Sequence, residues 1–191
     1  MVYIGPLREY PRREYKWTGS GHSHFGKRGE NTIDAMITSF KQNEKYHSKF
    51  FDVDSSLAEL VCKWLIEFGM ADDFQIQPIS EEKQLYQVSI KTKGAKNWVD
   101  ICDVGFGVSQ LLPIIALGYY VPEGTIIIVE QPEIHLHPKV QSGLGDLIID
   151  VALSRKVQFI IESHSEHFLT RIQRRIAENY IDDKDVKINF L

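Results

Sequence analysis

The segment Thr125–Pro138, with the sequence TIIIVEQPEIHLHP, restricts the possible folds more than any other part of the chain. Its first five residues are all β-branched, which predicts a strand buried on both faces. Glu130 follows directly, and then come Gln131, Pro132 and Glu133. A buried parallel strand that ends in carboxylates is typical of an open α/β sheet, which carries its chemistry at the carboxyl ends of its strands.

The composition predicts one cytoplasmic domain. The chain has 191 residues, of which 43% are hydrophobic and 25% charged, and these values are ordinary for a soluble domain. The net charge of −4 gives no general attraction to nucleic acid, although it is compatible with a local basic patch. Two cysteines without a CxxC pair indicate a reducing compartment. The sequence has neither a leader pattern nor an apolar run of 18 residues, so we expect no membrane contact.

From residue 103 onward, helix and strand patterns alternate, which predicts an α/β fold with a mostly parallel sheet and helical crossovers. A glycine-rich turn leads into an apolar helix that ends near Tyr120, and the β-branched strand follows. Pro138 suits the first position of the next helix. The further elements are predicted as a helix from Pro138 to about Leu153, a strand at Val157–Ile161, a helix capped by Ser163 or Ser165, and a last strand at Val186–Leu191.

The first hundred residues predict a short strand, a long loop and two amphipathic helices. Val2–Ile4 suits the strand, and residues 5–30 suit the loop, whose arginines either meet phosphate or a partner's acids or are simply solvated. These arginines are Arg8, Arg12 and Arg13. The first helix runs from Asn31 to about Gln42, with an apolar face made of Ile33, Met36, Ile37 and Phe40.

The second helix spans residues 57–68, capped by Asp54 or Ser55, and ends at Gly69. Residues 73–101 alternate between apolar and polar side chains around a turn at Lys93-Gly94, which predicts an antiparallel edge.

Three segments converge if the predicted strands are parallel neighbours. They are the glycine turn before the apolar helix, the acids after Val129, and the stretch Ser163-His164-Ser165 after the next strand. Backbone N–H groups at a helix N-terminus bind phosphate, carboxylates at a strand end hold Mg²⁺, and a histidine responds to nearby charge. The combination favours nucleotide hydrolysis.

The chain resembles the C-terminal half of an ABC-type ATPase domain. It most resembles the AAA family of the "overcoming lysogenisation defect" and SMC-like branch, prokaryotic ATPases often found in defence or DNA-linked systems. The stretch PEIHLHP is similar to the segment that follows the Walker B strand in that family, IIESHSEHF to its switch-histidine segment, and DVGFGVSQ to its signature loop. The opening YIGPLREYP is similar to a segment found upstream of the signature.

The resemblance implies a P-loop NTPase-like sheet flanked by helices, with ATP and Mg²⁺ as ligands. Glu130 corresponds to the Walker B acid near Mg²⁺, and His164 to the switch histidine. Gln131 occupies the place of the glutamate that polarises water, and Glu133 is a nearby substitute for that base. The signature corresponds to Gly105, Gly107, Ser109 and Gln110, which would contact the nucleotide of an opposite subunit.

The resemblance also implies an assembly. The expected partner is a second copy, or a subunit that carries a Walker A motif, and DNA or a nuclease is compatible as a further partner. Residues 1–101 would form a helical and antiparallel insert region, and residues 102–191 the core with the signature, Walker B and switch segments.

A complete Walker A motif, GxxxxGK[ST], is not found. Gly21–Arg28, GHSHFGKR, matches as far as Lys27 but has Arg28 where the Mg²⁺-binding hydroxyl belongs, and the residues before it are charged and turn-rich. The N-terminal P-loop strand is therefore expected to be absent, as in a fragment or a split ATPase.

Two alternatives stay open. The chain is a non-catalytic fragment or partner subunit, or it is a metal-dependent hydrolase that uses His135, His137 and His164.

Overall fold

The computed structural model describes residues 1–19 and 25–190 and has an α/β architecture. In chain order its elements are β1 (Val2–Ile4), β2 (Tyr15–Lys16), α1 (Thr32–Lys41), β3 (Tyr46–Ser48), β4 (Val53–Ser55), α2 (Leu57–Glu67), β5 (Ala71–Ser80), β6 (Leu85–Thr92), β7 (Val99–Asp100), α3 (Phe106–Tyr120), β8 (Ile126–Glu130), α4 (Pro138–Arg155), β9 (Gln158–Glu162) and α5 (Glu166–Ala177). Short 3-10 turns lie at Ile101–Asp103 and Asp183–Asp185. No helix in these ranges is long and apolar enough to cross a membrane.

The β-branched segment forms the middle strand of a three-stranded parallel sheet in the order β1-β8-β9. This confirms the predicted parallel sheet. The prediction that β8 is buried on both faces is wrong, because Ile127 and Val129 are buried whereas Ile126 and Ile128 are only partly buried. The second face stays accessible, and Ile160 on the neighbouring strand is exposed there.

The predicted antiparallel edge is a separate sheet centred on β6. It pairs with β5 on one side and with β2 and β7 on the other, all antiparallel. Gly94 has a positive φ of 76° at the predicted turn, a conformation that glycine adopts without steric cost. The strand β2 interrupts the predicted loop, and its two residues are too few to produce a readable sequence pattern.

The two N-terminal helices match the predicted spans, but two details differ. Phe40 is 71% exposed, so its place on the buried face of α1 was predicted wrongly. The N-cap of α2 is Ser56, which forms a capping box with Glu59. The predicted caps, Asp54 and Ser55, are instead paired with the hairpin strand β3.

The later helices follow the sequence pattern closely. Pro138 begins α4 and Ser165 caps α5, as predicted. Helix α3 continues through Pro113. The predicted strand at Val186–Leu191 does not form over residues 186–190. Since Phe190 is exposed and no strand pairs with this segment within the described ranges, an apolar pattern alone did not create a strand here.

One large hydrophobic cluster joins both parts of the chain, from Ile4 to Val157. At its centre the Trp64 indole N–H donates to the Tyr119 hydroxyl at 2.7 Å, and that hydroxyl donates to Asp150. The Asp150 carboxylate is fully buried and also accepts hydrogen bonds from Ser48 and Ser154. Four elements, β3, α2, α3 and α4, are thereby linked through one buried carboxylate.

Candidate active site

Two glutamates end neighbouring strands of the parallel sheet. Glu130 and Glu162 are directly paired residues of β8 and β9, so their side chains lie on the same face at the carboxyl edge. Tyr3 of β1 lies on that face too, and burial together with the Glu130 carboxylate raises the pKa of Tyr3. Glu162 was not among the predicted site residues, because only the strand register places it beside Glu130.

Gln131 connects the two strand ends. Its backbone N–H donates to the Glu162 carbonyl at 2.8 Å, and its amide Nε2 donates to the Glu162 carboxylate at 3.2 Å. Its φ of 44° lies in the left-handed region, which costs a non-glycine residue about 1–3 kcal/mol. The fold therefore holds Gln131 in an unfavourable backbone conformation at the edge where its side chain reaches Glu162.

Glu133 is an internal brace between the loops after β8 and β9. It is 8% exposed, and its Oε1 accepts the backbone N–H of His164 at 2.7 Å. Its other oxygen has no hydrogen-bond partner among the described residues. One oxygen of Glu133 therefore holds the His164 backbone, and the other is unpaired among the described residues, so its role as a substitute for the water-polarising base stays a prediction.

His164 projects from this brace into solvent. Its imidazole is largely exposed, and its Nε2 lies 3.7 Å from a Glu162 carboxylate oxygen. The structure therefore brings together Glu130, Gln131 and His164, as predicted, and adds Glu162 between them. An open edge with three acidic or amide side chains and one imidazole has the donor and acceptor groups to bind a hydrated cation and polar phosphate oxygens.

Arg8 supports the edge from inside the protein. It is 2% exposed, and its guanidinium donates to the Glu130 carbonyl at 3.3 Å and to the Gly5 carbonyl. Burial lowers the pKa of Arg8 to about 10, so it stays charged at neutral pH. The sequence offered Arg8 as a possible phosphate contact, whereas the structure uses it to hold the end of β8.

The other two arginines of the N-terminal loop pair with acids on the protein. Arg13 forms two hydrogen bonds to Asp103 at 2.7 and 3.0 Å, directly before the glycine turn. Arg12 lies 3.1 Å from Glu9. The loop is thus attached to the segment that leads into α3.

The glycine turn presents its backbone, while its polar side chains are turned inward. Gly105 is the N-cap of α3 and is exposed. A side chain at Gly107 would meet Met70 at 2.9 Å. Ser109 is buried and donates to the Phe106 carbonyl at 2.7 Å, and Gln110 is buried with an unpaired Nε2 among the described residues. Of the four predicted signature residues, the two glycines are therefore the accessible ones.

The metal-hydrolase alternative has no support in the described part of the chain. No group of three histidine, cysteine or acidic residues there is placed to hold a metal ion. The His135 ring packs against Phe106 with ring centres 5.5 Å apart. His137 caps α4 through its Nδ1, which accepts the Lys139 N–H. The two histidines serve different elements, so the HxH spacing does not bring them together with His164.

The segment that partly matches Walker A lies partly outside the described residues, since residues 20–24 fall there. The described carbonyls of Lys27 and Arg28 accept the backbone N–H groups of Gly5 and Glu9, both at 2.8 Å. This end of the segment is therefore paired with the chain that follows β1.

The structure is thus an α/β domain with a parallel sheet, a helical crossover and acids at its strand ends. Residues 23–169 match the family described as "AAA ATPase domain". Because this match spans more than half of the chain, the protein belongs to that family. No curated protein gives a significant match.

Solved structures of SMC ATPase heads are similar in fold. One, described as "Structural biochemistry of ATP-driven dimerization and DNA stimulated activation of SMC ATPases", is 14% identical with a TM-score of 0.51 and covers 60% of this chain and 71% of that chain. Another is an SMC head bound to the C-winged helix domain of ScpA, 12% identical with a TM-score of 0.52, covering 74% of this chain and 44% of that chain. The chain thus spans less than half of the second structure, and at these identities the likeness concerns the fold.

Proposed function

We propose that this chain contributes to ATP binding and hydrolysis in an assembly whose other subunit supplies the phosphate-binding loop. The observation that carries the proposal is the convergence of Glu130, Gln131, Glu162 and His164 at the carboxyl edge of the parallel sheet. Edges of this kind hold the ligands of open α/β sheets, and membership in the AAA ATPase family gives the ligand class.

The reaction is in-line attack of a water oxygen on the γ-phosphorus, with departure of the β–γ bridging oxygen. Gln131 orients the water through its amide oxygen, because its Nε2 already donates to Glu162. Glutamine cannot accept the proton, so we assign that role to Glu162, the exposed acid beside it. His164 contacts the γ-phosphate, and the Glu133 brace fixes where it projects. Phosphoryl transfer depends mainly on such positioning and charge.

The residues present also suit a magnesium ion. Mg²⁺ prefers oxygen ligands and usually takes one or two carboxylates together with phosphate oxygens and water. Glu130, the acid at the end of β8, would hold the ion, with Glu162 paired beside it. When bound, Mg²⁺ neutralises charge on the phosphate oxygens.

The partner is either a second copy or a different subunit. The backbone of Gly105, which is exposed, and of Gly107, which is partly buried, lies at the start of a 15-residue helix. It would face the partner's nucleotide, since free N–H groups at a helix N-terminus attract phosphate. ATP-driven dimerisation and DNA-stimulated activation are described for SMC ATPases of similar fold, which supports an assembly of this type. A phage-defence or DNA-linked task for the cycle belongs to this proposal as well.

A non-catalytic partner role is the second candidate, and Gln131 favours it. An amide at the position of the catalytic acid cannot take a proton from the attacking water. The carboxylate that is hydrogen-bonded to Gln131 belongs to Glu162, on the neighbouring strand. In this case the chain binds nucleotide at the interface without turning it over.

ATP binding and turnover by the purified chain, alone and after mixing with a Walker A-bearing subunit, test these two candidates. Glu130→Ala is expected to abolish turnover, and His164→Ala is expected to reduce turnover far more than ATP binding. Equal loss of binding and turnover in His164→Ala would contradict the role of the histidine. Nucleotide binding without turnover would select the non-catalytic role, and no nucleotide binding in any mixture would overturn both.

A further inference from the structure

The tyrosine of the first strand lies on the same face of the parallel sheet as the acidic edge. Tyr3 is the middle residue of β1, and the register pairs it with Ile128 of β8. Side chains alternate between the two faces of a strand, so Glu130, two residues after Ile128, shares this face. The Tyr3 ring therefore starts about 7 Å before the carboxylate along the strand direction.

Gly5 leaves room for the ring to reach forward over the sheet. The parallel pairing of β1 with β8 runs up to Ile4, and the Arg8 guanidinium donates to the carbonyls of both Gly5 and Glu130, so these two backbones are adjacent. A Cβ built on Gly5 would lie 3.0 Å from the Tyr3 hydroxyl oxygen and 3.5 Å from the ring atoms Cε1 and Cζ. The ring thus lies over Gly5, and its hydroxyl is brought beside Glu130.

The hydroxyl interacts with the Glu130 side chain. Burial raises the pKa of Tyr3, and so do a hydrogen bond with the Glu130 carboxylate and the negative charge of that carboxylate. The phenol is the donor in this bond, because an ionised carboxylate can only accept. Glu130 is therefore held twice: Arg8 binds its backbone carbonyl from inside the protein, and Tyr3 binds its carboxylate on the open face.

Each of the two paired acids at the edge has its own neutral donor. The Gln131 amide donates to Glu162 at 3.2 Å, and the Tyr3 hydroxyl serves Glu130 in the same way. The strand order β1-β8-β9 puts Tyr3 on the side of Glu130 that is away from Glu162. The hydroxyl therefore holds the Glu130 carboxylate back from a like charge on the neighbouring strand.

We propose that Tyr3 is a positioning residue that fixes the Glu130 carboxylate for a divalent cation. This inference rests on the proposed function, in which Glu130 holds Mg²⁺. A hydrogen bond to one carboxylate oxygen restricts the rotation of the group and leaves the other oxygen to bind the ion. Carboxylates that bind metals are usually held in this way, and loss of the outer partner typically lowers metal affinity 10–100-fold. Tyr3 acts through Glu130 and touches neither the ion nor the phosphate.

The first test is the Mn²⁺ affinity of the purified chain, measured by electron paramagnetic resonance. Tyr3→Phe keeps the ring and removes the hydroxyl, and it is expected to lower the affinity about tenfold. Tyr10→Phe removes a hydroxyl from a ring that is 64% exposed, and it should bind Mn²⁺ as the wild type does. Equal affinities of Tyr3→Phe and the wild type would overturn the proposal.

Gly5→Ala tests whether the glycine acts through the same hydroxyl. The new methyl group would lie 3.0 Å from the hydroxyl oxygen and displace it, so this variant should also bind Mn²⁺ more weakly. In Tyr3→Phe the nearest ring atoms are 3.5 Å away, an ordinary contact. The double variant should therefore bind no more weakly than Tyr3→Phe alone. Fully additive losses would contradict a shared hydroxyl.

The second test needs neither metal nor nucleotide. The chain has eight tyrosines, and in protein labelled with ¹³C at the tyrosine Cζ the signal of Tyr3 is the one that Tyr3→Phe removes. This signal should shift in Glu130→Ala, and an unchanged signal would overturn the proposal. If the signal shifts but the wild type binds no Mn²⁺, the metal site of the proposed function is overturned, and Tyr3 is kept as the residue that fixes Glu130.

Discussion

The Oε1 oxygen of Glu133 accepts the backbone N–H of His164 at 2.7 Å. This bond joins the loop after β8 to the loop after β9, two segments 31 residues apart in the chain. Glu133, which the sequence suggests as a water-polarising base, thereby also supports the histidine. The position of the histidine backbone consequently depends on a buried carboxylate.

Glu133→Ala is expected to destabilise the protein by about 1–3 kcal/mol, because it leaves the part-buried His164 N–H without an acceptor. Glu133→Gln keeps an acceptor oxygen and should lose much less. Denaturant unfolding measures both values, and Glu82→Ala on the exposed β5–β6 turn is the control. A Gln variant as unstable as the Ala variant would show that the charge of Glu133, rather than this hydrogen bond, matters.

Gln131→Glu would place a second carboxylate where an amide now donates to Glu162 at 3.2 Å. Two adjacent carboxylates raise the pKa of one of them. When an acid has a higher pKa in the folded than in the unfolded state, the protein becomes less stable as the pH rises through that pKa. The variant should therefore be destabilised relative to the wild type at pH 8, and less so at pH 5. Thermal unfolding at both pH values checks this. A pH-independent difference would mean that the two side chains are farther apart in solution.

In the proposed ATPase assembly the same Gln131→Glu variant should raise ATP turnover, because it supplies a proton acceptor beside the proposed position of the γ-phosphate. Single-turnover kinetics with the Walker A-bearing partner would measure the effect. Gln131→Ala is the companion variant, since it removes the amide without adding a base. Unchanged turnover in the Glu variant would place the attacking water elsewhere.

Arg8→Met is expected to destabilise the chain by about 2–4 kcal/mol, since hydrogen bonds to a charged donor contribute about 1.5–3 kcal/mol each and the Gly5 and Glu130 carbonyls lose their partner. The exposed Arg12→Met is the control. The Mn²⁺ affinity of the proposed metal site, measured by electron paramagnetic resonance, should fall as well, because Arg8 holds the end of β8 that carries Glu130. Normal metal affinity in a folded Arg8→Met protein would contradict this positioning role.

The sequence predicts the parallel sheet and the starts of the helices that follow its strands because the information there is local. The β-branched run 125–129, Pro138 at a helix start and Ser165 at a cap each act through their immediate neighbours. The parallel order of β8 and β9 then follows from the intervening helix.

What the sequence does not predict depends on contacts between distant segments. The pairing of Glu162 with Glu130 depends on the register between two strands. The buried guanidinium of Arg8 donates to carbonyl groups that lie 3 and 122 residues away in the sequence. The prediction of a strand at 186–190 fails for the same reason, because an apolar pattern cannot specify that a partner strand exists.

Asp150 is the buried centre of the hydrogen-bond network that links β3, α2, α3 and α4. Its fully buried carboxylate accepts from Ser48 at 2.6 Å, Ser154 at 2.9 Å and the Phe50 N–H at 2.9 Å. Asp150→Ala leaves several buried donors unpaired, each costing about 1–3 kcal/mol, so we expect a loss large enough to prevent cooperative folding. Asp150→Asn should fold with a smaller loss, and the exposed Asp185→Ala should be nearly neutral. Urea unfolding followed by tryptophan fluorescence reports on Trp64 within this network.

The capping box of α2 gives the protein a defined response to acid. Hydrogen bonds from the Ser56 backbone and side chain lower the pKa of Glu59 below its ordinary 4.5. A carboxylate with a depressed folded-state pKa contributes stability above the unfolded value, and this contribution is lost as the pH falls through the folded one. The stability difference between the wild type and Glu59→Gln should therefore be constant from pH 8 to pH 5 and shrink below about pH 4.5.

Ser56→Ala, which removes the N-cap at a cost of about 1 kcal/mol, should reduce that pH dependence. A difference that stays constant down to pH 3 would show that Glu59 is not bonded to the helix start.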